Sequence, residues 1–194
     1  MRGPRLAAAP STPTGPGSVV EFDWATQTAR HVGTVVHREL MRLARGAPFA
    51  DDARAQRRWY DELVELGVPA ERRSDAIARV VAAIERTRAD PRGRWLLDTA
   101  HSDSECELAL TGRAGPGLAS IVVDRTFVDA GVRWIVDYKT SAHEGAGVEE
   151  FLDREQERYR PQLARYAALI GRLGPEPIRL GLYFPLLSGW REWT

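Results

Sequence analysis

The sequence predicts an α/β domain in which a mixed β-sheet lies between helices, with a helical portion at the N-terminal end. Apolar residues recur with helical spacing through the first half of the 194 residues. From about Glu105 the period changes to two, with clear alternation over Glu105–Thr111, which is typical of strands. A further helix and a further strand follow, and this order of elements favours helices packed on both faces of one sheet.

The composition narrows the class of protein. The 27 basic residues are balanced by 27 acidic ones, so any contact with DNA must come from local patches rather than a global field. The single cysteine, Cys106, excludes an internal disulfide and a cysteine-rich zinc or iron–sulfur site. No apolar run reaches the roughly 18 residues of a membrane span. We therefore expect a cytoplasmic protein that has neither a membrane anchor nor an iron–sulfur cluster.

The N-terminal end differs in composition from the rest. Residues 1–17 are rich in Pro, Gly, Ala, Ser and Thr, which cannot bury enough apolar surface to become ordered. They are predicted to be a disordered linker or tail, which suggests either a flexible start or a junction with a larger upstream body. The domain is then expected to comprise residues 18–194.

The first predicted helix runs from about Thr26 to Ala44 and carries a histidine beside its apolar stripe. His37 occupies that position, and Gly33 lies one turn before it, where it allows another backbone or a ligand to come close. A lone histidine in this setting is either a structural residue or a ligand, and the helix alone does not distinguish them. The stripe consists of Val32, Val36, Leu40 and Leu43.

Two more helices are expected before the strands. Asp51 or Asp52 can cap one that ends near Leu66, and Ser74 can cap the next. A short turn is expected around residues 95–97. The polar side of the helix after Ser74 is either a solvated face or a DNA-facing patch, and it carries Arg79, Arg86 and Arg88.

Three strands are predicted from the alternating pattern. Asp129-Ala130-Gly131 is a hairpin sequence between the second and third of them. Glycines and a proline at residues 112–117 predict the turn between the first and second. On the first strand, Cys106, Leu108 and Leu110 are expected to share one side. The predicted strands are Glu105–Thr111, Leu118–Val128 and Val132–Tyr138.

The hairpin is expected to bring two carboxylates together. Asp124 lies five residues before the turn and Asp137 six residues after it, so pairing places them at neighbouring positions. Two such carboxylates repel each other unless a cation lies between them. The structural alternative is an ion pair of Asp124 with Arg125 or Arg133, although adjacent residues on a strand point to opposite faces.

The third strand ends in an acid and an amine two residues apart. Asp137 and Lys139 should therefore project from the same face. Lys139 is the only lysine, because 26 of the 27 basic residues are arginines. A lysine has a rotatable ammonium with an adjustable pKa, whereas arginine is a permanently charged planar fork. Chance retention of one lysine is the alternative to a catalytic role.

The C-terminal part predicts a helix and at least one strand. After a loop at residues 142–147, a helix begins near Val148 and is expected to be interrupted near Pro161. A strand follows at Ile178–Phe184, and Trp190–Trp193 form either an edge strand or a tail. One side of the helix carries Tyr159, Gln162 and Tyr166, and the core side carries Leu163, Ala167 and Ile170.

These residues suggest metal-assisted phosphodiester hydrolysis. Two carboxylates and an imidazole can hold Mg²⁺, with Mn²⁺ also tolerated. The lysine can orient a water or offset negative charge that develops on the phosphate. Neither a phosphate-binding G-x-x-x-x-G-K-[ST] loop nor a Ser-His-Asp signature occurs in the sequence. The candidate residues are His37, Asp124, Asp137 and Lys139, with Glu105 as a possible outer member.

Five stretches together resemble the RecB-like branch of the PD-(D/E)XK nucleases. They are Gly33–His37, Glu105, Val123–Arg125, Ile135–Ser141 and Tyr159–Tyr166. The combination is most similar to the C-terminal nuclease domain of AddA-type helicase-nuclease subunits. It spans about Gln27 to Trp193, and it is far more specific than the D-x-K triplet alone. The chain departs from the pattern before Asp124, where relatives often have a glycine and this sequence has Ile-Val-Val.

The resemblance implies a restriction-endonuclease-like core and a role for each matching residue. Lys139 would be the catalytic lysine, and Asp124 and Asp137 would be the catalytic carboxylates. Gln162 and Tyr166 would contact the DNA backbone or order the site, and Glu105 would lie near the metal through water. The metal ligands would be His37, Asp124, Asp137 and the backbone carbonyl of Tyr138.

The resemblance also implies a function. We expect a Mg²⁺-dependent (exo)deoxyribonuclease that works with a helicase subunit, or with upstream helicase domains, in double-strand-break repair and recombination. The alternative from another class is a non-catalytic DNA-binding or scaffold module of such a complex. A free-standing nuclease is also possible, although the Pro-rich start favours a tethered domain.

Overall fold

A five-stranded mixed sheet forms the centre of the protein. The computed structural model describes residues 17–48, 52–114, 117–141, 145 and 147–194. The strand order is β1-β2-β3-β4-β5, with β3 and β4 parallel and the other pairs antiparallel. The strands are β1 (Ser102–Ala114), β2 (Gly117–Asp129), β3 (Val132–Tyr138), β4 (Ile178–Phe184) and β5 (Gly189–Trp193).

Helices cover both faces of this sheet. Four helices precede the strands, and α5 (Val148–Ile170) connects β3 to β4. One apolar core joins the N-terminal helices to the sheet, and a second joins α5 to it. The predicted fold class is confirmed, and it is consistent with a restriction-endonuclease-like core. The four helices are α1 (Gly17–Ala44), α2 (Asp52–Glu65), α3 (Arg73–Ala89) and α4 (Pro91–Leu96).

The first helix is longer than predicted. It begins at Gly17 rather than near Thr26, because no proline interrupts the chain after Pro16. Gly17 therefore belongs to α1 and not to a tail, whereas residues 1–16 lie outside the described residues. The predicted apolar stripe of α1 is buried, with Val32, Val36 and Leu40 fully inaccessible.

The next three helices correct several predicted boundaries. Asp52 begins α2, and Asp51 lies outside the described residues. Ser74 does not cap α3, because a 3-10 turn at Ala70–Arg72 leads directly into that helix. Residues 95–97 were expected to form a turn, but Trp95 and Leu96 belong to α4, and Leu97 lies in the turn that follows it. The Asp90 carboxylate caps α4 by accepting hydrogen bonds from the first free amides of that helix.

The hairpin between β2 and β3 forms as predicted. Ala130 and Gly131 both have positive φ, of 48° and 77°, which suits a two-residue turn. The last β2–β3 pair is Arg125 with Val136, so Asp124 and Asp137 occupy the next position on each strand. The pairing inferred from the sequence is therefore the pairing of the structure.

The second strand rotates at Asp124. Val123 packs in the α5-side core, whereas Phe127 packs in the core under the N-terminal helices. Residues an even number apart on a regular strand share a face. The strand must therefore turn over between them, at the point where its pairing with β3 ends.

The first strand is irregular at Glu107, which corrects its predicted alternation. Glu107 has a positive φ of 53° within the strand. Cys106 lies beside the Arg125 guanidinium, whereas Leu108 packs against the α5-side core. These two side chains were expected on one side. The strand also continues through Gly112, which had been assigned to the turn, and residues 115–116 lie outside the described residues.

The strand predicted at Ile178–Phe184 is confirmed as β4. Trp190–Trp193, which were expected to form either an edge strand or a tail, belong to the edge strand β5. The predicted helix is corrected. α5 is continuous through Pro161, which was expected to interrupt it. Pro161 is exposed, so water can bind the carbonyl that its missing N–H leaves unpaired. Residues 142–144 and 146 of the predicted loop lie outside the described residues. Among the described helices, none combines the length and apolar character needed to cross a bilayer.

Candidate active site

The candidate site lies at the end of β3, where helices approach from both faces of the sheet. The Nζ atom of Lys139 lies 2.5 Å from Oδ2 of Asp137. Asp137 is 4% exposed, and the side chain of Lys139 is 17% exposed. The two side chains share a face because they are two residues apart in extended chain. The structure thus joins the acid and the amine that the sequence places together.

Asp124 connects the end of β3 to the first helix. Its Oδ2 accepts a hydrogen bond of 2.8 Å from the backbone N–H of Tyr138, and its Oδ1 lies 3.5 Å from Nδ1 of His37. The carboxylate therefore takes the place of a main-chain acceptor where the β2–β3 ladder stops. It aligns the strand end and faces the imidazole.

The alternative ion pairs of Asp124 are absent from the part of the chain that the structure describes. The fully buried Arg125 donates to the backbone carbonyls of Leu96 and Asp98. Arg133 pairs with Asp103 at 3.0 Å. Both arginines therefore stabilise the sheet, and neither neutralises Asp124.

His37 reaches the site because α1 approaches the end of β3 closely. A Cβ atom on Gly33 would lie 2.9 Å from Oγ1 of Thr140, so a larger residue there requires the Thr140 side chain or the helix to shift. The His37 ring also meets the Tyr138 ring edge-to-face, with 5.8 Å between centroids. A small residue one turn before the histidine is thus what permits the contact between helix and strand.

The helix α5 supplies three further side chains. Nε2 of Gln162 donates to Oδ1 of Asp137 at 3.2 Å and to the Tyr166 hydroxyl oxygen at 2.6 Å. The ring of Tyr159 lies under Lys139, with Nζ 3.8 Å from the ring centroid. Gln162 and Tyr166 had been singled out in the sequence. Tyr159 had been placed on the same side but without a role.

The ionisable side chains of the site shift one another's pKa values. Burial, followed by the nearby Asp124 carboxylate, raises the pKa of Asp137 to about 6, although Lys139 and His37 oppose this. Burial alone would lower the pKa of His37, but Asp124 and Asp137 outweigh it and raise that pKa. Burial likewise opposes the charged form of Lys139, and Asp137 outweighs it, so the pKa of Lys139 is raised. Each group thus depends on its neighbours for its charge.

The donor atoms of His37, Asp124 and Asp137 are of the types that bind a divalent cation, but their side chains are not grouped closely enough to form a ready metal site. Two carboxylates and an imidazole are the ligand types that Mg²⁺ and Mn²⁺ accept. Within the described residues, however, no three His, Cys, Asp or Glu side chains form a ready metal cluster. Lys139 contacts Oδ2 of Asp137, and the Tyr138 amide donates to Oδ2 of Asp124. The carbonyl of Tyr138 remains a predicted ligand only.

The structure brings Glu107, rather than Glu105, to the cavity beside His37. This cavity, of about 780 Å³, is lined by His37, Thr140 and Glu107, together with residues of α1 and α2. Glu105 pairs with Thr126 and lines two other cavities. By the same register Glu107 is opposite Asp124, since Cys106 pairs with Arg125 and Leu108 with Val123. No feature of the sequence distinguishes the two glutamates, because both follow the same alternation.

Comparison with known families agrees with this geometry. The model of the PD-(D/E)XK nuclease superfamily matches residues 19–188, which include every candidate residue of the site. The chain has no significant match among curated proteins. A family match over so much of the chain, together with the Asp-Asp-x-Lys arrangement at the end of β3, leads to one conclusion. The protein belongs to the PD-(D/E)XK nuclease superfamily, whose members hydrolyse phosphodiester bonds and generally use divalent metal ions.

Proposed function

We propose that the protein is a Mg²⁺-dependent (exo)deoxyribonuclease that works with a helicase in the repair and recombination of double-strand breaks. The observation that carries the nuclease activity is the Asp137–Lys139 pair, held beside Asp124 and His37 at the end of β3. The helicase partner and the repair role are supported by the resemblance to AddA-type subunits.

Asp124, Asp137, His37 and the Tyr138 carbonyl would hold the metal ion. When bound, the ion would stabilise the negative charge that develops on the phosphate during hydrolysis. The raised pKa of Asp137 supports this assignment, because burial and the neighbouring Asp124 disfavour its ionised form. A divalent cation beside both carboxylates would relieve that repulsion.

Lys139 would hold the attacking water or a phosphate oxygen with its ammonium group. Its three N–H donors can rotate, so the group can donate to an incoming oxygen while it remains near Asp137. To do so, the ammonium group must direct an N–H donor to the incoming oxygen and weaken its present contact with Oδ2 of Asp137. Its positive charge would then offset the charge that develops on the phosphate.

Gln162 would fix the carboxylate of Asp137 in place. A side-chain amide has two N–H donors, and here one points to Oδ1 of Asp137 and the other to the Tyr166 oxygen. Both donors are thus directed to acceptors of the site. The other oxygen, Oδ2, then faces Lys139. This arrangement supports positioning of the acid as the main role of Gln162 and Tyr166.

The test is a cleavage assay with the purified chain on linear and circular DNA, with Mg²⁺ or with EDTA. Asp137→Ala and Lys139→Ala should each lower the rate by at least about 100-fold. Lys139→Arg should also be impaired, because a planar guanidinium cannot replace a rotating ammonium. Arg57→Gln, on the exposed surface of α2, is the matched control and should cleave like the wild type.

Two results would contradict the proposal. If the wild type and the Asp137 and Lys139 variants degrade DNA equally, the chemistry does not reside in these residues. If the wild type binds DNA and cleaves nothing with Mg²⁺ or Mn²⁺, the chain is a DNA-binding or scaffold module. Cleavage of linear DNA with no cleavage of circular DNA would support the exonuclease assignment.

A further inference from the structure

One face of α1 forms the floor of the cavity beside His37. Arg30, Thr34, His37, Arg38 and Met41 line it, with the spacing that puts side chains on one side of a helix. Met41 follows Arg30 by eleven positions, which is about 17 Å along the helix axis. The groove is therefore elongated, and it extends in both directions from His37.

The acidic groups of this groove are withdrawn from solvent. Glu39 is 4% exposed, and it accepts hydrogen bonds from Arg42, Arg58 and Trp59. Its charge is thus neutralised within the contact between α1 and α2. Glu62 is also largely covered, with a side chain 22% exposed. Of the carboxylates that line the groove, Glu107 is the one that remains exposed, and it lies at the sheet side.

The basic groups remain accessible. The side chain of Arg38 is 50% exposed and pairs with Glu62 at 3.5 Å, while Arg58 is 34% exposed. Arg30 is exposed, and it makes no ion pair with any other residue that the structure describes. Solvent in the groove thus meets accessible arginines from both α1 and α2, although the whole chain has no net charge.

We propose that this groove binds the phosphodiester backbone of the DNA strand that leads to the scissile phosphate. Arg30 contacts phosphates at a distance from His37 along α1, and Arg38 contacts those beside His37. The position of the scissile phosphate rests on the function proposed above. Guanidinium groups bind phosphate oxygens through paired hydrogen bonds, which makes arginine suited to this role.

The distances agree with such a path. Arg30 precedes His37 by seven residues, or about 10 Å along α1. Successive phosphates of a stacked strand advance by about 3.4 Å, so about three nucleotides separate the Arg30 contact from the metal site. Contacts to phosphate alone carry no sequence information. The groove therefore gives binding that does not depend on base sequence.

A purely structural role fits Arg42 and Arg58 but not Arg30. The first two hold Glu39 and so join α1 to α2. Arg30 takes no part in that network, and Arg38 has only the longer contact with Glu62. Arg30 and Arg38 are therefore the residues to change, because their removal leaves the Glu39 network intact.

The experiment measures binding of a fluorescent single-stranded oligonucleotide of about 12 nucleotides, in EDTA, as a function of salt. We expect Arg30→Gln and Arg38→Gln each to reduce the slope of log K against log salt by about 0.7, and the double variant by about 1.4. The double variant should bind at least about tenfold more weakly at low salt. Arg57→Gln, one residue from Arg58 and outside the groove, is the control.

Thermal melting of each variant shows whether it is folded, and a cleavage assay separates this inference from the proposed function. If the double variant has the slope and affinity of Arg57→Gln while the wild type cleaves DNA, the groove inference is overturned and the nuclease stands. If the slopes fall as expected while the wild type cleaves nothing, the groove is supported and the nuclease proposal fails.

Discussion

The ammonium group of Lys139 lies 3.8 Å from the centre of the Tyr159 ring while it pairs with Asp137. The chain's single lysine is therefore held between a carboxylate on its own strand and an aromatic face on α5. The electron-rich face of a tyrosine ring attracts a cation, and partial burial strengthens this attraction. Tyr159 is a positioning residue in this arrangement, because it acts through Lys139.

Replacing Tyr159 should change the rate of DNA cleavage through Lys139. A cation–π contact contributes about 0.5–2 kcal/mol, so Tyr159→Leu should lower kcat by about 2- to 30-fold. Tyr159→Phe keeps the ring and should stay within about threefold of the wild type. Steady-state kinetics on a linear DNA substrate measures both. A Phe variant as impaired as the Leu variant would instead assign the effect to the hydroxyl group.

Glu107 should contribute to metal affinity, and Glu105 should not. Of these two glutamates, Glu107 lines the cavity beside His37 and lies opposite Asp124. Its carboxylate can therefore order water around an ion bound there. Glu107→Gln should weaken binding of Mn²⁺ by about tenfold, as loss of an outer-sphere partner does.

Isothermal calorimetry without DNA measures this affinity directly. Glu105→Gln is the matched control, since it removes the same charge from the same strand two residues away. Equal losses in the two variants would show a general charge effect and contradict the assignment of Glu107.

The stability of the metal-free protein should reflect the buried Asp137. Its pKa of about 6 in the folded state is above the ordinary value of 3.8, so the folded protein binds more protons than the unfolded chain between these values. The stabilising contribution of this group is present below about pH 4 and is lost as the pH rises to about 6. Asp137→Asn removes the titration.

The free energy of unfolding of Asp137→Asn, relative to the wild type, should therefore increase between about pH 4 and 6.5, by an amount on the order of 2 kcal/mol. Urea denaturation in EDTA at several pH values measures the difference. Lys139 stays protonated over this range, so its own titration adds nothing to the difference, and its attraction to the ionised carboxylate is already part of the Asp137 pKa of about 6. A relative stability that is flat or falls with pH would contradict the raised pKa.

A side chain at Gly33 should be costly while Thr140 is present. Gly→Ala inside a helix ordinarily stabilises by about 0.5–1 kcal/mol. Here the new Cβ would lie 2.9 Å from Oγ1 of Thr140, so Gly33→Ala should lack this gain because the Thr140 side chain or α1 has to move.

A double-mutant cycle tests the contact. In a Thr140→Ala background the hydroxyl is gone, and Gly33→Ala should then stabilise the protein by about 1 kcal/mol. Thermal denaturation of the four proteins gives the coupling between the two positions. If Gly33→Ala has the same effect in both backgrounds, the helix and the strand end do not approach each other as closely as the structure shows.

Local sequence patterns were sufficient for much of the site. The period of two placed Asp137 and Lys139 on one face, and the Asp-Ala-Gly turn fixed the register that makes Asp124 and Asp137 neighbours. Helical spacing likewise put Gln162 and Tyr166 on one side of α5. These relationships depend on residues close in the chain or joined by a tight turn, so their geometry follows from the backbone of one element or one hairpin.

Other relationships were decided only by the tertiary structure. His37 meets Asp124 because α1 packs closely on the end of β3 at Gly33, and no local pattern fixes how two distant elements approach. Glu107 rather than Glu105 lies beside His37 because a positive φ at residue 107 interrupts the alternation of side chains along β1, and a glutamate does not encode such a backbone angle. The contact of Lys139 with Tyr159 and the arginine-lined groove arise in the same way, because packing of helices on a twisted sheet sets side-chain positions that chain spacing alone leaves open.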